Sequence, residues 1–410
     1  MSAPSTIRDV IILGSTGSIG TQALDVIARN AQHFRVTGLA AGGANLQLLA
    51  EQICAFRVPA VAIATDNEGE LAQLVAAIDP HLQPEILCGE NAVTELAGRG
   101  DTSTVVLNGI TGSIGLRPTL AALASGASLA LANKESLVVG GALVADAMVR
   151  PGQIIPVDSE HSAIAQALRS GRHNRGLTSE KVDGTSEVAK LILTASGGPF
   201  RGASRADLEH VTLEQALNHP TWDMGPVVTI NSSTLMNKAL ELIEAAYLFD
   251  IPPADIIPVV HPQSIVHSMV LFRDGSTIAQ ASPPDMRLPI ALGLSYPERL
   301  ADISTPCVWD SPTSWHFEPL DEDVFPAIRL ARQALDTSPL HPAVMNAANE
   351  EAVSAFIAGR LPYTGIIDTV SRVLDTYQPP VGTPDLKTVL GAETWARQCA
   401  HTIMERHSNL

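Results

Sequence analysis

The sequence is short of positive charge, of cysteine and of long apolar runs, and each shortage removes a class of function. Lysine and arginine total 26 against 43 aspartate and glutamate, a formal net charge of −17. Nucleic acid and anionic membrane both need a basic footprint, so neither is an expected partner. A phosphorylated small substrate needs only a few placed cations and stays open. Four cysteines, Cys54, Cys88, Cys307 and Cys399, are scattered with no CxxC or metal spacing, which suits a reducing compartment. No stretch reaches the ~18 uninterrupted apolar residues of a membrane helix. The nearest, "SLALANKESLVVGGALV", is split by Asn133, Lys134 and Glu135. The N-terminal "MSAPSTIRDV" shows no basic and apolar leader, so a cytoplasmic location is expected.

What is present is a globular composition, 45% hydrophobic and 17% charged, over 410 residues, enough for two or three domains. Up to residue 157 short apolar runs (Val10–Leu13, Val36–Leu39, Val61–Ala64, Val105–Leu107, Leu129–Ala132, Ile154–Val157) alternate with helix-length segments such as "TQALDVIARNAQ". That alternation predicts an α/β fold with a doubly wound, Rossmann-like parallel sheet over 1–157. Residues 158–300 read as an α+β domain, with strand-like "LILTA", "VVTI", "IIPVV" and "STIAQA" around helix-like "TLMNKALELIEAAYLF". The polar stretch at 169–187 reads as an exposed loop. A proline- and tryptophan-containing linker spans 301–321, and 322–410 is helical throughout, a small bundle.

Two glycine turns share one design: "GSTGSIG" at 14–20 and "GITGSIG" at 109–115, each after a β-branched run. In a doubly wound sheet each half opens with a strand, a turn and a helix, so both turns can border one dinucleotide at the switch point. The second serves equally well as an ordinary strand-to-helix turn. The first offers backbone N–H groups and a helix N-terminus to a pyrophosphate. After the second strand an NAD enzyme places an acid on the ribose; here "GLAAGGANLQLLAEQ" has none before Glu51. Gly42, Gly43, Ala44 and Asn45 can instead meet a 2′-phosphate through backbone and amide, which favours NADP, although the expected arginine is missing.

"PVDSEHSAI" sets Asp158 and Glu160 two residues apart, either as a helix cap or as paired ligands. In "NSSTLMNKALELIEA", Asn237 and Glu241 share a helix face and Lys238 neighbours Glu241, a surface ion pair or a third ligand. Three carboxylates without a softer ligand select a hard cation, Mg²⁺ or Mn²⁺. "HPTWDMG" places His219 and Trp222 in a loop fit for a mobile lid, "TASGGPF" offers Ser196, and "ANKESLV" puts Lys134 at the sheet's C-terminal edge.

Together "GSTGSIG", "LANKESLV", "PVDSEHSAI", "SGGPF", "HPTWDMG", "MNKALE", "HPQSIVHSMV", "PPDMR" and "NAANEEAV" resemble the 1-deoxy-D-xylulose 5-phosphate reductoisomerase family over nearly the whole chain. The resemblance implies NADPH- and metal-dependent rearrangement of 1-deoxy-D-xylulose 5-phosphate, followed by reduction to 2-C-methyl-D-erythritol 4-phosphate for isoprenoid synthesis. It implies that Asp158, Glu160 and Glu241 bind one divalent metal, and it selects Glu241 over Glu244. It implies that Ser196, Ser232, Asn237 and Lys238 hold the substrate phosphate. It further implies that Lys134, Ser159 and His219 touch the rest of the substrate and that Trp222 caps it. Thr16–Ile19, Gly42–Asn45, Asn133, Glu135 and Gly225 correspond to the cofactor side, and the family suggests a homodimer. Three positions depart from the family pattern: Asp223 where serine is expected, Ala239 for glycine, and Ser282 before "PPDMR". The rival readings are another NADP-dependent dehydrogenase of a phosphorylated metabolite and a non-catalytic NADP(H) sensor; neither uses the carboxylate trio.

Overall fold

The computed structural model describes residues 7–222 and 224–407. Asp223 lies outside the described residues, and with it the expectation attached to that position. The first sheet has seven parallel strands, β1 (Arg8–Leu13), β2 (Phe34–Ala41), β3 (Ala60–Ile63), β4 (Glu85–Cys88), β5 (Thr104–Asn108), β6 (Ser128–Leu131) and β7 (Ile154–Pro156), in the order β4-β3-β2-β1-β5-β6-β7. Its central strands are buried on both faces, which is why they read as continuous apolar runs rather than alternating ones. β4, "EILC", has one short apolar run and no buried side chain, so it escaped the sequence pattern.

The order reverses between β1 and β5, and each of these two strands is followed by one of the glycine turns. The duplicate turns therefore flank the switch point, where doubly wound sheets hold ligands. Gly14 takes φ +83°, and a Cβ on Gly20 would sit 2.3 Å from the Gly14 carbonyl oxygen, so the first turn closes only with glycine there.

The second sheet has five strands, ordered β11-β10-β8-β9-β12: β8 (Val188–Ala195), β9 (Ile256–Val260), β10 (Val266–Phe272), β11 (Thr277–Ala281) and β12 (Glu318–Pro319). β12 is the last piece of the expected linker, paired antiparallel with β9. "VVTI", expected as a strand, lies in the helix Pro226–Ser233. Gly225 in the cap position and proline at the first helical position start that helix, and burial of Ile230 and Thr229 outweighs the weak helix propensity of β-branched residues. The helix Arg287–Ser295 packs back against the helix Ser18–Arg29, and Ile290 and Leu294 join the core of the first sheet. C-terminal helices Ala327–Thr337, His341–Ile357, Tyr363–Thr376 and Leu386–His407 form the bundle.

The stretch 169–187 is more than an exposed loop. It packs on the end of the helix Met236–Phe249, where Leu177 N donates to the Leu248 carbonyl at 2.8 Å and His173 Nε2 to the Phe249 carbonyl at 2.7 Å. Helix ends leave carbonyls without partners, and this segment supplies them.

Candidate active site

One cleft of about 940 Å³ opens at the C-terminal ends of β1 and β5 and runs across to the second sheet. Gly17, Ser18, Ile19, Gly109, Ile110 and Thr111, from both glycine turns, line one end. Lys134, Glu135, Asp158, Ser159 and Glu160 line the middle. Ser196, His219, Trp222, Gly225, Ser232, Asn237, Lys238 and Glu241 line the cleft as well. Residues called up from seven separate sequence motifs thus meet in one place.

The carboxylates come together from two helices. Asp158 occupies the cap position of the helix Ser159–Leu168 but makes no side-chain cap bond; its carboxylate is withheld for Lys134 instead. Ligand oxygens of Asp158, Glu160 and Glu241 lie within 4.8 Å of one another. Lys238 Nζ donates to Glu160 Oε1 at 2.6 Å and also to Glu241, and Lys134 Nζ reaches Glu241 Oε1 at 3.3 Å. Lys238 and Glu241 are buried, 3% and 1% exposed, which excludes the surface-pair reading. Burial and the neighbouring Glu160 charge push the Glu241 carboxyl up, against the pull of Lys238. Burial opposes ionisation of Asp158 too, yet Lys134 and His161 hold its carboxyl well below the usual range. A fourth acid, Glu244, lies behind: burial pushes it up to about 7, against the pull of His161. His161 is raised to about 9 because Glu244 and Asp158 outweigh its burial. Oxygen donors of one sign, gathered out of water around two ammonium groups, fit a hard divalent cation.

The far end is built for an oxyanion. His219 Nδ1 accepts from the backbone N–H of Thr221 at 3.1 Å and of Trp222 at 2.9 Å. Its Nε2 is thereby the protonated nitrogen, and it lies 3.1 Å from both Ser196 Oγ and Ser232 Oγ. Burial lowers the His219 pKa, so the ring is neutral at neutral pH. Asn237 and Lys238 point at Glu241 rather than at these hydroxyls in this structure.

Six of the expected cofactor residues do not line this cleft. Thr16 lies within the first turn. Gly42–Asn45 follow β2, one strand away, where Gly43 takes φ +96° and Asn45 Oδ1 caps the next helix through Leu48 N at 3.1 Å. Asn133 is buried and spends its amide on the second glycine turn, donating to Ile110 O at 2.8 Å and Gly112 O at 3.0 Å. Sequence reasoning missed Asn231, Ser264 and His267, which also line the cleft. Ser264 and Leu235 hold left-handed backbone at φ 50° and 60°, costly for non-glycine residues and found here at the cleft wall. "HPQSIVHSMV" carried a signal for Ser264 and His267, polar residues inside an apolar run. Asn231 had none.

Three family models match: 1-deoxy-D-xylulose 5-phosphate reductoisomerase over residues 10–141, its C-terminal domain over 154–249, and the DXP reductoisomerase C-terminal domain over 281–399. The chain is 62% identical over 391 residues to the 1-deoxy-D-xylulose 5-phosphate reductoisomerase of Beutenbergia cavernae, covering 95% of each. It is 60% identical over 366 residues to that of Bifidobacterium longum subsp. infantis, covering 89% of each. Among solved structures, the Zymomonas mobilis reductoisomerase in complex with NADPH aligns with TM-score 0.86 and 38% identity, covering 98% of this chain and 100% of that one. A DOX-P reductoisomerase in complex with NADPH, fosmidomycin and magnesium aligns with TM-score 0.87 and 34% identity, covering 97% and 98%. The chain belongs to the 1-deoxy-D-xylulose 5-phosphate reductoisomerase family.

Proposed function

We propose that this chain converts 1-deoxy-D-xylulose 5-phosphate to 2-C-methyl-D-erythritol 4-phosphate, using NADPH and one divalent cation, in isoprenoid precursor synthesis. The observation that carries the reading is the cleft itself. A dinucleotide-type glycine turn, a carboxylate trio and a His–Ser–Ser oxyanion pocket share it. Asp158, Glu160 and Glu241 would hold the cation, which when bound polarises substrate oxygens as a Lewis acid. The dinucleotide supplies a hydride.

The chain's own groups do the rest. The backbone N–H groups of Gly17–Ile19 and the N-terminus of the helix Ser18–Arg29 bind pyrophosphate. The 42–45 turn takes the adenosine end, with no acid to repel a 2′-phosphate. Asn133 shapes the second glycine turn from behind, and Glu135 and Gly225 face the cofactor side. Ser196, Ser232 and the His219 Nε2–H take the substrate phosphate, with Asn237 and Lys238 turning from Glu241 to join them. Lys134 and Ser159 meet the sugar hydroxyls. Trp222, held by the His219 ring through its backbone, covers the substrate and excludes water. Phosphate contacts remote from the reacting carbons supply binding energy for closure.

A plain dehydrogenase has no use for the carboxylate trio, and a non-catalytic sensor has none for the oxyanion pocket. Residues 1–157 form the NADPH domain, 158–300 the catalytic domain, 301–321 the linker and 322–410 the bundle, in a cytoplasmic homodimer. No helix among the described residues is long and apolar enough to cross a membrane. NADPH oxidation is measured with the xylulose phosphate and with other sugar phosphates, with magnesium and with EDTA. Turnover on the xylulose phosphate alone, abolished by EDTA and restored by magnesium, is expected; metal-independent turnover would refute the assignment.

A further inference from the structure

The helix His341–Ile357 of the C-terminal bundle lies behind the cleft wall and carries two polar residues that its apolar neighbours do not explain. Asn349 is fully buried, among Ala347, Ala348 and Ala352. Its Nδ2 donates to Asn231 Oδ1 at 2.9 Å, across 118 residues of chain, while its own Oδ1 is buried without a partner. Next to it, Glu350 is held by Asn346 and Arg397 and approaches Gly112 of the second glycine turn. Asn231 lies on the helix Pro226–Ser233, one residue before Ser232, and lines the cleft although only 8% exposed. With its carbonyl oxygen taken by Asn349, its amide nitrogen has no protein acceptor among the described residues.

A buried amide pair with an unsatisfied oxygen costs stability, and apolar residues of the same size would pack there at no loss. The arrangement makes sense if it aims a donor. We infer that Asn231 donates a hydrogen bond through Nδ2 to an acceptor oxygen of a molecule bound in the cleft, and that Asn349 is the positioning residue fixing which end of that amide faces in. The bundle then acts on the active site through Asn231, from behind the cleft wall. The inference rests on the proposal that this cleft holds the phosphorylated substrate and NADPH. The acceptor oxygen belongs to one or the other.

The test uses the full-length enzyme with magnesium. Asn231→Asp keeps the oxygen that faces Asn349 and loses the donor into the cleft. Asn349→Leu removes the partner that fixes the Asn231 amide. Each is expected to lower kcat/KM about ten-fold, the scale of one hydrogen bond, with little change in melting temperature. The double variant Asn231→Ala/Asn349→Leu is expected to be no worse than Asn231→Ala alone, because Asn349 acts only through Asn231. Fluorescence titration of NADPH against the KM of the sugar phosphate tells which molecule carries the acceptor. Wild-type kcat/KM in Asn231→Asp, or additive losses in the double variant, overturns the inference. Should the Asn349 variants fail to fold, Asn231→Asp and Asn231→Ala decide it alone. Absence of turnover in the wild type would instead sink the proposed function, a separate result.

Discussion

Replacing Glu241 by glutamine should leave the metal-free protein as stable as the wild type, or more so, while removing its stabilisation by magnesium. Glu241 and Glu244 are buried, and Asp158 and Glu160 half-buried, near two lysines, Lys134 and Lys238, and one imidazole. Breaking an isolated buried ion pair costs about 3–5 kcal/mol because the other charge is stranded. Here neither lysine is stranded: Lys238 keeps Glu160 at 2.6 Å, and Lys134 keeps Asp158. What is lost is a carboxyl whose ionised form is already disfavoured by burial and by Glu160. The cation reverses that balance. A ligand bound only by the folded state adds about 2.7 kcal/mol at one hundred times its Kd. For a cooperative unit of roughly 150–250 residues that is a rise of roughly 5–10 °C in melting temperature. Differential scanning calorimetry with EDTA and with magnesium, on both proteins, reads the four values. A magnesium shift that survives in Glu241→Gln removes Glu241 from the site. A metal-free variant that melts many degrees below the wild type shows that the ion pairs, and not the cation, organise the cluster.

Turnover should follow NADPH over NADH, since the 42–45 turn presents no acid to a ribose 2′-hydroxyl; comparable kcat/KM for NADH would show that reading to be wrong. Gly20→Ala should abolish NADPH binding, because its Cβ would stand 2.4 Å from Ser15 Cα; fluorescence titration with wild-type affinity would refute it. His219→Ala and Trp222→Ala should lower kcat as well as raise KM, since closure aligns the hydride; a pure KM effect would limit them to binding. The His219 ring should titrate below about 6.5, its ordinary value. Burial lowers the folded value, so stability from this group is complete above the unfolded pKa and is lost as pH falls through the folded one, when the proton displaces the Thr221 and Trp222 N–H groups from Nδ1. An NMR midpoint above 6.5 would contradict that neutral tautomer.

Local chemistry alone determined a good part of this molecule. Apolar runs of β-branched residues buried on two faces, each followed by a glycine turn, specify a parallel sheet and the place where a dinucleotide fits, because glycine spacing and strand burial are properties of short segments. The same holds for Asp158 and Glu160, whose separation by one residue already sets both carboxylates at a strand end. Tertiary structure decided what depends on partners distant in the chain. Only packing turned "VVTI" into a helix, since a proline start and a buried face outweighed its β-branched composition. Nothing near residues 169–187 announces that they close the end of the helix carrying Glu241, because the carbonyls they satisfy lie about seventy residues on. Asn237 and Lys238, placed by resemblance on a phosphate, are drawn to Glu241 by the stronger buried charge. And Asn231 faces the cleft because Asn349, 118 residues later, holds the other end of its amide. Spacing along a chain fixes which residues share a strand or a helix face; charge burial and contacts between distant elements fix what those residues touch.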